Sequence, residues 1–449
     1  MALPFHPRLR FPFPTRTPSW FAGHMARSLN ELPNLLKDID LVIEARDARL
    51  PLTSVNSAFD DVLRTSWGLQ SNDAGRIMDV KGKQREKLVV YTKRDLAESR
   101  FEKPLKKAFL EHANQKVLFA DTRSDKDVRS ILKHAVDHAK QRYDAVYDMN
   151  ILVVGMPNVG KSSLLNALRR VGVHKGKAFR IGAEPGITRR LTGTVKINET
   201  PPVYVYDTPG VMMSYLGKGE RGAEKGLKLA LTAGIKASLF EPDILADYLL
   251  YRLNLRSLDP TYPSYLNNIP LPPSFTTPTN DLTELLIALA TRIGAMRAGG
   301  ELDLETAQRF FLRAFQEGKF GQWTLDDLLE RPGMVISNLE SADTISISSE
   351  AENDVQPPQL PTPATITAAA DIDALVSARV KTFLAEQARE QARRDEGISE
   401  SSTQEKKKEL AKLKAERQAK WEAKVARRKE LGDGLGGRTS RSTTRARRK

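Results

Sequence analysis

Short apolar runs alternate with longer amphipathic stretches through the first half of the chain. The runs are predicted strands, because a strand buried on both faces of a parallel sheet is a nearly continuous series of apolar residues. They lie at residues 41–45, 87–91, 116–120, 151–154, 191–197 and 203–206. Helical periodicity occurs between them, at residues 101–112, 127–143 and 163–168. This alternation predicts an α/β fold with a mostly parallel sheet and helices on both faces.

The second half has a different pattern. Residues 222–327 are predominantly helical in pattern, with a proline-rich interruption and two well-defined helices at residues 281–296 and 303–316. Residues 337–370 are rich in Ser, Thr and Pro, a composition typical of disorder. From residue 374 onward, charged helix formers predict a helix with little apolar surface.

These changes of pattern predict five segments. They are a leader (1–18), an α/β domain (19–220) with a polar surface insertion near 66–86, a small helical domain (221–335), a linker (336–372) and a charged helical or disordered basic tail (373–449).

The leader has no acidic residue before Glu31 but contains several arginines, a composition typical of mitochondrial targeting segments. Five prolines within the first 18 residues argue against an amphipathic helix there, and therefore against this interpretation. We expect residues 1–18 to be a targeting segment.

The charge is concentrated at the other end. Residues 406–449 contain 17 Lys and Arg against 5 Asp and Glu, most of the net charge of +14. A cationic tail favours a polyanion such as RNA, because neutralising phosphates releases condensed counterions. A merely solubilising tail is the alternative.

Composition also excludes several classes of protein. The chain has no cysteine, so disulfides and thiolate-ligated metals are excluded. Its six histidines do not have the spacing of a zinc enzyme. No apolar run approaches 18 residues, so we expect no transmembrane segment.

One loop carries a phosphate-binding pattern. Residues 155–162 read G-M-P-N-V-G-K-S, which matches G-x-x-x-x-G-K-[ST] between a strand and a helix. The Lys161 ammonium is expected to reach the β- and γ-phosphates, as a catalytic group, and the Ser162 hydroxyl to ligate Mg²⁺. We expect the phosphate oxygens to bind to the loop residues Asn158, Val159, Gly160, Lys161, Ser162 and Ser163.

Two downstream segments complete this site. D-T-P-G at residues 207–210 ends a strand; Asp207 is suited to hold Mg²⁺ through water, and the Gly210 N–H to contact a γ-phosphate. A lone D-x-x-G also marks ordinary turns, but this spacing behind a P-loop is specific. Between them, Thr188 offers a hydroxyl to Mg²⁺ from a loop.

A base-reading element lies upstream of the P-loop. Residues 92–95, T-K-R-D, resemble the N/T-K-x-D element, with Thr92 and Lys93 preceding the base-reading Asp95. The Asp95 carboxylate can accept from the ring N–H and the exocyclic amine of guanine, which adenine does not offer together. Asp121 and Thr122 follow the next strand, where a loop normally supports the base, but the usual Ser-Ala is missing.

In an ordinary GTPase the base-reading element follows the P-loop. The rotated order here resembles the circularly permuted ribosome-assembly GTPases of the YlqF/RbgA type and their mitochondrial ribosome-associated branch. Residues 20–27 (W-F-A-G-H-M-A-R) are similar to that family's W-F-P-G-H-M-A-K motif, residues 47–51 (D-A-R-L-P) to its D-A-R-x-P turn, and residues 298–320 to part of its C-terminal helical domain. The resemblance covers residues 19–327. It implies a circularly permuted P-loop GTPase domain followed by a small helical domain, with GTP or GDP and Mg²⁺ as ligands. The disordered basic tail that follows is predicted from composition and charge alone.

The resemblance also bears on catalysis. Val211 follows D-x-x-G, where many GTPases place a water-orienting Gln. The family shares this apolar substitution, and the histidine of its N-terminal motif is thought to orient the water instead. That role would fall here to His24 by the match to this motif, although a lone histidine without such a motif is more often a structural residue.

The resemblance implies a ribosome-stimulated, GTP-hydrolysing assembly factor for the mitochondrial large ribosomal subunit. The helical domain and tail would bind rRNA beside ribosomal proteins, and hydrolysis would license release. A matrix location with peripheral contact to the inner membrane is also implied. Two alternatives remain: a GTP-dependent module that recruits a protein or an acidic membrane, and a relative that acts on the cytosolic or nucleolar large subunit.

Overall fold

The computed structural model describes most of the α/β and helical regions. The described residues are 5–14, 30–68, 76–78, 84–141, 148–176, 194–208, 210, 216–217, 219–257, 264–329 and 369–395, with 413, 414, 417, 418 and 421 in the tail. The chain divides into two compact units, Met1–Glu386 and Gln387–Lys449. In the second unit, the structure describes the end of one helix and those five tail residues.

One sheet forms the centre of the first unit. Among the described residues its strands are β1 Leu41–Asp47, β2 Arg76–Met78, β3 Gln84–Thr92, β4 Val117–Phe119, β5 Met149–Gly155, β6 Val195–Asn198 and β7 Val203–Asp207. Their order is β2-β3-β1-β5-β7-β6, and β4 also pairs with β3. β1 pairs in parallel with both β3 and β5, whereas β2 and β6 pair antiparallel. The predicted mostly parallel sheet is confirmed.

Several α-helices surround or follow this sheet, besides the helical residues 30–35. They are α1 Ser57–Trp67, α2 Glu102–Ala113, α3 Asp125–Lys140, α4 Lys161–Val173, α5 Gly219–Leu231, α6 Pro242–Arg256, α7 Leu282–Ile293, α8 Leu304–Gln316 and α9 Ala369–Asp395.

Successive residues of a strand point to opposite faces, so the central strands feed two cores. Ile43 of β1 packs in a cluster with Ile131 of α3 and Leu164 of α4. Its neighbour Val42 packs in another cluster, with Phe59 of α1. Helices therefore cover both faces, as the sequence pattern predicts.

Some element boundaries differ from the predictions for local reasons. The predicted helix at residues 281–296 ends at Ile293, because Gly294 adopts a left-handed conformation with φ 69°. Helix α1 was missed, although Asn56 caps its first turn. The region of the predicted insertion contains β2, which pairs with the start of β3.

Helix α9 corrects another expectation. Val376, Val380 and Phe383 are buried in a cluster with Tyr91 and Phe109, on β3 and α2. Their spacing places them on one face of a helix. The expectation of little apolar surface was wrong for this part of α9.

The helical region is continuous with the sheet. Leu227 of α5, Leu249 of α6 and Phe311 of α8 belong to the same buried cluster as Ile43 of β1. The segmentation at residues 220 and 335 remains a prediction. No helix in the described ranges combines the length and apolarity needed to cross a membrane.

The described part of the leader packs on α6. Phe11 is buried, with its ring 5.2 Å from that of Tyr248 and 5.4 Å from that of Tyr251. Arg8 forms an ion pair of 2.5 Å with Asp247. Residues 5–14 are therefore anchored to the helical region.

Candidate nucleotide site

The motifs converge at the carboxyl edge of the sheet. Thr92, Gly155 and Asp207 end the parallel strands β3, β5 and β7. The chain moves from β1 to β3 on one side and later returns to β5 on the other. Ligands of open parallel sheets bind where strand connections diverge in this way, which here is the P-loop position.

The P-loop depends on two glycines. At Gly155, φ is 150°, and an added Cβ would lie only 2.3 Å from Ala45 O, so no side chain fits. At the other end Gly160, with φ 95°, precedes α4. The loop thus leads into a helix N-terminus, where backbone N–H groups and the helix dipole favour phosphate.

Lys161 lies buried at the start of α4. Its Nζ donates to Met156 O at 2.8 Å and to Gly155 O at 3.2 Å. Burial lowers the pKa of Lys161 to about 8, against the opposing effect of Asp207. A phosphate would stabilise the charged ammonium, so this lysine is suited to an anionic ligand.

Ser162 and Asp207 form a pair suited to Mg²⁺. Ser162 Oγ donates to Asp207 Oδ2 at 2.9 Å. Asp207 is 1% exposed, and its Oδ1 has no hydrogen-bond partner within the described ranges. Burial raises the Asp207 pKa, opposed by Lys161 and Ser162. An orphaned carboxylate oxygen beside a hydroxyl fits the oxygen preference of Mg²⁺, completed by water and phosphate oxygens.

Gly210 approaches the P-loop closely. A Cβ at this position would lie 2.6 Å from Pro157 Cα, so only glycine fits. Thr208 Oγ1 anchors the segment by donating to Val153 O at 2.7 Å. The segment that follows β7 therefore lies against the loop, as the predicted γ-phosphate contact requires.

Thr92 joins the base-reading element to the P-loop. Its Oγ1 lies 3.0 Å from Arg46 O and is also within hydrogen-bonding reach of Val159 O. A hydroxyl has one hydrogen, so the two carbonyls share it. The structure thus gives Thr92 a positioning role, and its direct nucleotide contact remains a prediction.

Asp95 is associated with a second acidic residue. Arg123 Nη2 lies 2.5 Å from Asp95 Oδ2, and Arg123 Nε lies 3.2 Å from Asp121 Oδ1. Burial and the nearby Asp121 raise the Asp95 pKa, opposed by Arg123. Thr122 lies at the same loop, with its carbonyl accepting from Arg170 at 3.3 Å. The predicted base-reading and base-supporting loops are therefore neighbours.

Sequence reasoning missed the residues that support this loop. Lys93, at φ 54°, donates to Asp47 Oδ2 at 2.9 Å, and Asp47 also accepts from Arg49. Burial alone would raise the pKa of Asp47, but Arg49 and Lys93 outweigh it and lower the pKa. The D-A-R spacing was the available signal, since an Asp that accepts from the backbone two residues later makes an Asx-turn.

Helix α5 contacts both loops through the turn after its last residue. Asn158 Nδ2 donates to Ala233 O at 3.0 Å. Arg49 Nη2 donates to Thr232 O at 3.4 Å. The start of the helical region is therefore hydrogen-bonded to the phosphate-binding loop and to the support of Lys93.

Three residues of the catalytic prediction cannot be placed. His24, Thr188 and Val211 lie outside the described residues. Their roles remain predictions.

Comparison with known proteins identifies relatives across this region. Residues 150–247 match the sequence profile of the family described as 50S ribosome-binding GTPase. The chain is 32% identical over 322 residues to "Mitochondrial ribosome-associated GTPase 1" of Xenopus tropicalis, covering 68% of this chain and 94% of the relative. With the Mus musculus protein of that name it shares 34% identity over 318 residues, covering 68% and 89%.

A solved structure, GNP-bound YlqF from T. maritima, is 19% identical and aligns with a TM-score of 0.41, covering 67% of this chain and 97% of that one. The alignments with the two curated relatives span about two thirds of this chain and about nine tenths of each relative. The chain therefore belongs to the mitochondrial ribosome-associated GTPase family, and it is an enzyme that binds guanine nucleotides with Mg²⁺ and hydrolyses GTP.

Proposed function

We propose that this GTPase is an assembly factor for the mitochondrial large ribosomal subunit. In this proposal the helical region and basic tail bind rRNA, and GTP hydrolysis licenses release. The relatives' name, mitochondrial ribosome-associated GTPase, supports a ribosomal partner. The 17 basic residues of the stretch 406–449 in the tail suit a phosphate backbone.

The contact between α5 and the P-loop carries the proposal. Helix α5 begins at Gly219, soon after Gly210, and the turn after it bonds to Asn158. A change in the γ-phosphate contact at Gly210 is thus linked by a short segment to the helical region. Release of such contacts on hydrolysis is a known way to reorient a domain.

Different residues bind the phosphates, the base, the metal ion and the attacking water. Lys161 and the backbone of residues 158–163 hold the phosphates, and Asp95 selects the base. Ser162, Asp207 and Thr188 hold Mg²⁺, which would neutralise charge on the β- and γ-phosphates. His24 orients the attacking water, because Val211 occupies the position where many GTPases have a Gln for this purpose.

The decisive experiment measures GTPase rate with and without purified mitochondrial large subunits. Wild type should be stimulated, Lys161→Ala should be inactive, and His24→Ala should retain nucleotide binding but lose most of the stimulated rate. Full stimulated activity in His24→Ala would remove the catalytic assignment. Absence of stimulation in wild type would refute the ribosomal proposal.

Binding measurements test the release step and the alternative partners. Co-sedimentation with large subunits should be strong in the GTP-bound state, weaker with GDP, and salt-sensitive. Equal retention with both nucleotides would argue against controlled release. Preference for anionic vesicles over subunits would instead favour the membrane-recruitment alternative, and preference for cytosolic large subunits the extramitochondrial one.

A matrix location follows from the proposal and can be tested without disturbing the fold. Removing residues 1–18 would also remove the packing of Phe11, so deletion alone is ambiguous. Residues 1–18 should therefore also be fused to an unrelated reporter. Import of the reporter supports a targeting role, and an unimported reporter excludes a sufficient signal in that segment.

A further inference from the structure

A segment after α8 returns to the base-reading loop. Residues 320–327 are called the strap here. Trp323 N donates to Leu96 O at 2.8 Å, and Gln322 Nε2 lies 3.4 Å from Asp95 O. The strap therefore contacts Asp95 and the residue that follows it.

Glu98 anchors the loop to the strap more firmly. It is 5% exposed, and its Oε1 accepts from Thr324 N at 3.0 Å. Its own N–H donates to Thr324 Oγ1 at 3.4 Å. Glu98 is thus held at both its backbone and its carboxylate, three residues beyond Asp95.

Arg256 of α6 completes this anchor. Its guanidinium pairs with the Glu98 carboxylate and lies 3.8 Å from the ring centroid of Trp323. Arg256 Nη1 also donates to Gln322 O at 3.0 Å. One side chain of the helical region therefore contacts both sides of the junction between strap and loop.

The far end of the strap is held independently. Asp326 Oδ2 accepts from Leu52 N at 2.7 Å and from Thr53 N at 2.8 Å. Arg252, one turn before Arg256 on α6, pairs with Asp327 at 2.5 Å. The side chains of Arg252 and Arg256 are equally exposed, at 11%. Arg256 pairs with Glu98, whereas Arg252 pairs with Asp327.

Guanine selection requires accurate placement of Asp95. Its carboxylate must meet the ring N–H and the exocyclic amine together, whereas inosine offers only the ring N–H. The short turn Arg94–Leu96 carries Asp95 between two holding points. Its start is held by Arg94, whose N–H donates to Ala120 O and whose side chain pairs with Glu102 and Asp127. Its end is held by the strap, through the bond from Trp323 N to Leu96 O and through Glu98. A small displacement would lose one of the two bonds while the phosphates stayed in the P-loop.

We propose that Arg256 is a positioning residue for guanine selection, acting on Asp95 through Glu98 and the strap. The proposal rests on the assignment of Asp95 as the base-reading residue. It extends that site into α6, far along the chain from the nucleotide motifs.

The test compares equilibrium binding of GTP and ITP to the full-length protein. In Arg256→Met, GTP affinity should fall about five- to tenfold and ITP affinity should stay within about twofold, so the selectivity ratio collapses. This change removes one of the cations that face the buried Glu98 carboxylate, which also pairs with Arg100 at 3.0 Å. Because a weakened buried pair can itself be destabilising, the double variant Glu98→Gln/Arg256→Met is measured too. The double variant should lose the same selectivity. Its glutamine side chain at position 98 is neutral, so no buried carboxylate charge destabilises the fold.

Arg252→Met is the matched control. It removes an ion pair of equal exposure at the far end of the strap, together with the bond from Arg252 Nη2 to Leu325 O, but leaves the contact of Arg256 with Glu98 in place. Its selectivity should match wild type if the Glu98 contact, and not the strap as a whole, places Asp95. Two results would overturn the proposal. One is that GTP and ITP affinity fall by the same factor in Arg256→Met and in the double variant, which would indicate a general loss of structure. The other is that Arg252→Met loses as much selectivity as Arg256→Met.

Asp95→Asn separates this proposal from the one on which it rests. If wild type does not distinguish GTP from ITP, or Asp95→Asn leaves the ratio intact, the base-reading assignment itself is wrong. If Asp95→Asn abolishes the ratio while Arg256→Met and the double variant preserve it, only the positioning role is wrong.

Discussion

Arg123 Nη2 lies 2.5 Å from Asp95 Oδ2, so an arginine contacts the carboxylate that is expected to read guanine. The arginine side chain is 73% exposed and also pairs with Asp121. Guanine and Arg123 both present N–H donors, and they would compete for this oxygen.

Arg123→Ala should therefore tighten GDP binding. An exposed ion pair contributes at most about 1 kcal/mol, so the gain should be about two- to fivefold, mainly as slower GDP release. Stopped-flow release of a fluorescent GDP at pH 7.5 measures it. Arg129→Ala, an exposed arginine on α3, is the control. Weaker binding in Arg123→Ala would mean that the arginine supports the base instead of competing with it.

Nucleotide affinity should decline in alkaline solution. Burial lowers the pKa of Lys161 to about 8, and phosphates bind its protonated form. Below pH 8 the ammonium is present before binding; above it, binding must take up a proton, so Kd should rise up to about tenfold per pH unit. Titrations between pH 7 and 9.5 measure this. Lys161→Ala should bind weakly with a flat profile, and a flat wild-type profile would contradict the prediction.

Ser162→Ala should raise the Mg²⁺ concentration needed for half-maximal GTP hydrolysis. The hydroxyl is one of the oxygens next to the orphaned Asp207 Oδ1. Loss of one ligand should raise this concentration at least about tenfold, or about 1.4 kcal/mol. GDP binding in EDTA is the control and should be nearly unchanged. An unaltered Mg²⁺ requirement would exclude the hydroxyl as a ligand.

Phe11→Ala should destabilise the fold without altering nucleotide selectivity. Phe11 is 6% exposed and packs on two tyrosines of α6, so truncation should lower the free energy of unfolding by about 3 kcal/mol. Urea denaturation measures the change. Leu9→Ala, at a residue 56% exposed, should have almost no effect. Equal stability of the two variants would show that residues 5–14 are not anchored in solution.

Local pattern was sufficient for some features and insufficient for others. The P-loop, the strand that carries it and the strand that ends at Asp207 were predictable, because their chemistry depends on neighbouring residues. The contact of Glu98 with Arg256 was not, since neither residue has a local pattern that names its partner. Likewise the stripe at Val376 and Val380 was overlooked among charged residues, because only its packing against Tyr91 distinguishes it from a solvated helix.

The central position of β1 has a consequence for biosynthesis. This strand pairs with β3 on one side and β5 on the other, yet it precedes both in the chain. During translation the amino-terminal part emerges first, so β1 and β3 can associate while β5 is still untranslated. One edge of the apolar strand β1 therefore stays unpaired until residues 149–155 leave the ribosome. Unpaired strand edges are prone to pair with the wrong partner. The rotated order of motifs thus exposes the middle of this sheet, instead of its rim, to the risk of misfolding on the nascent chain.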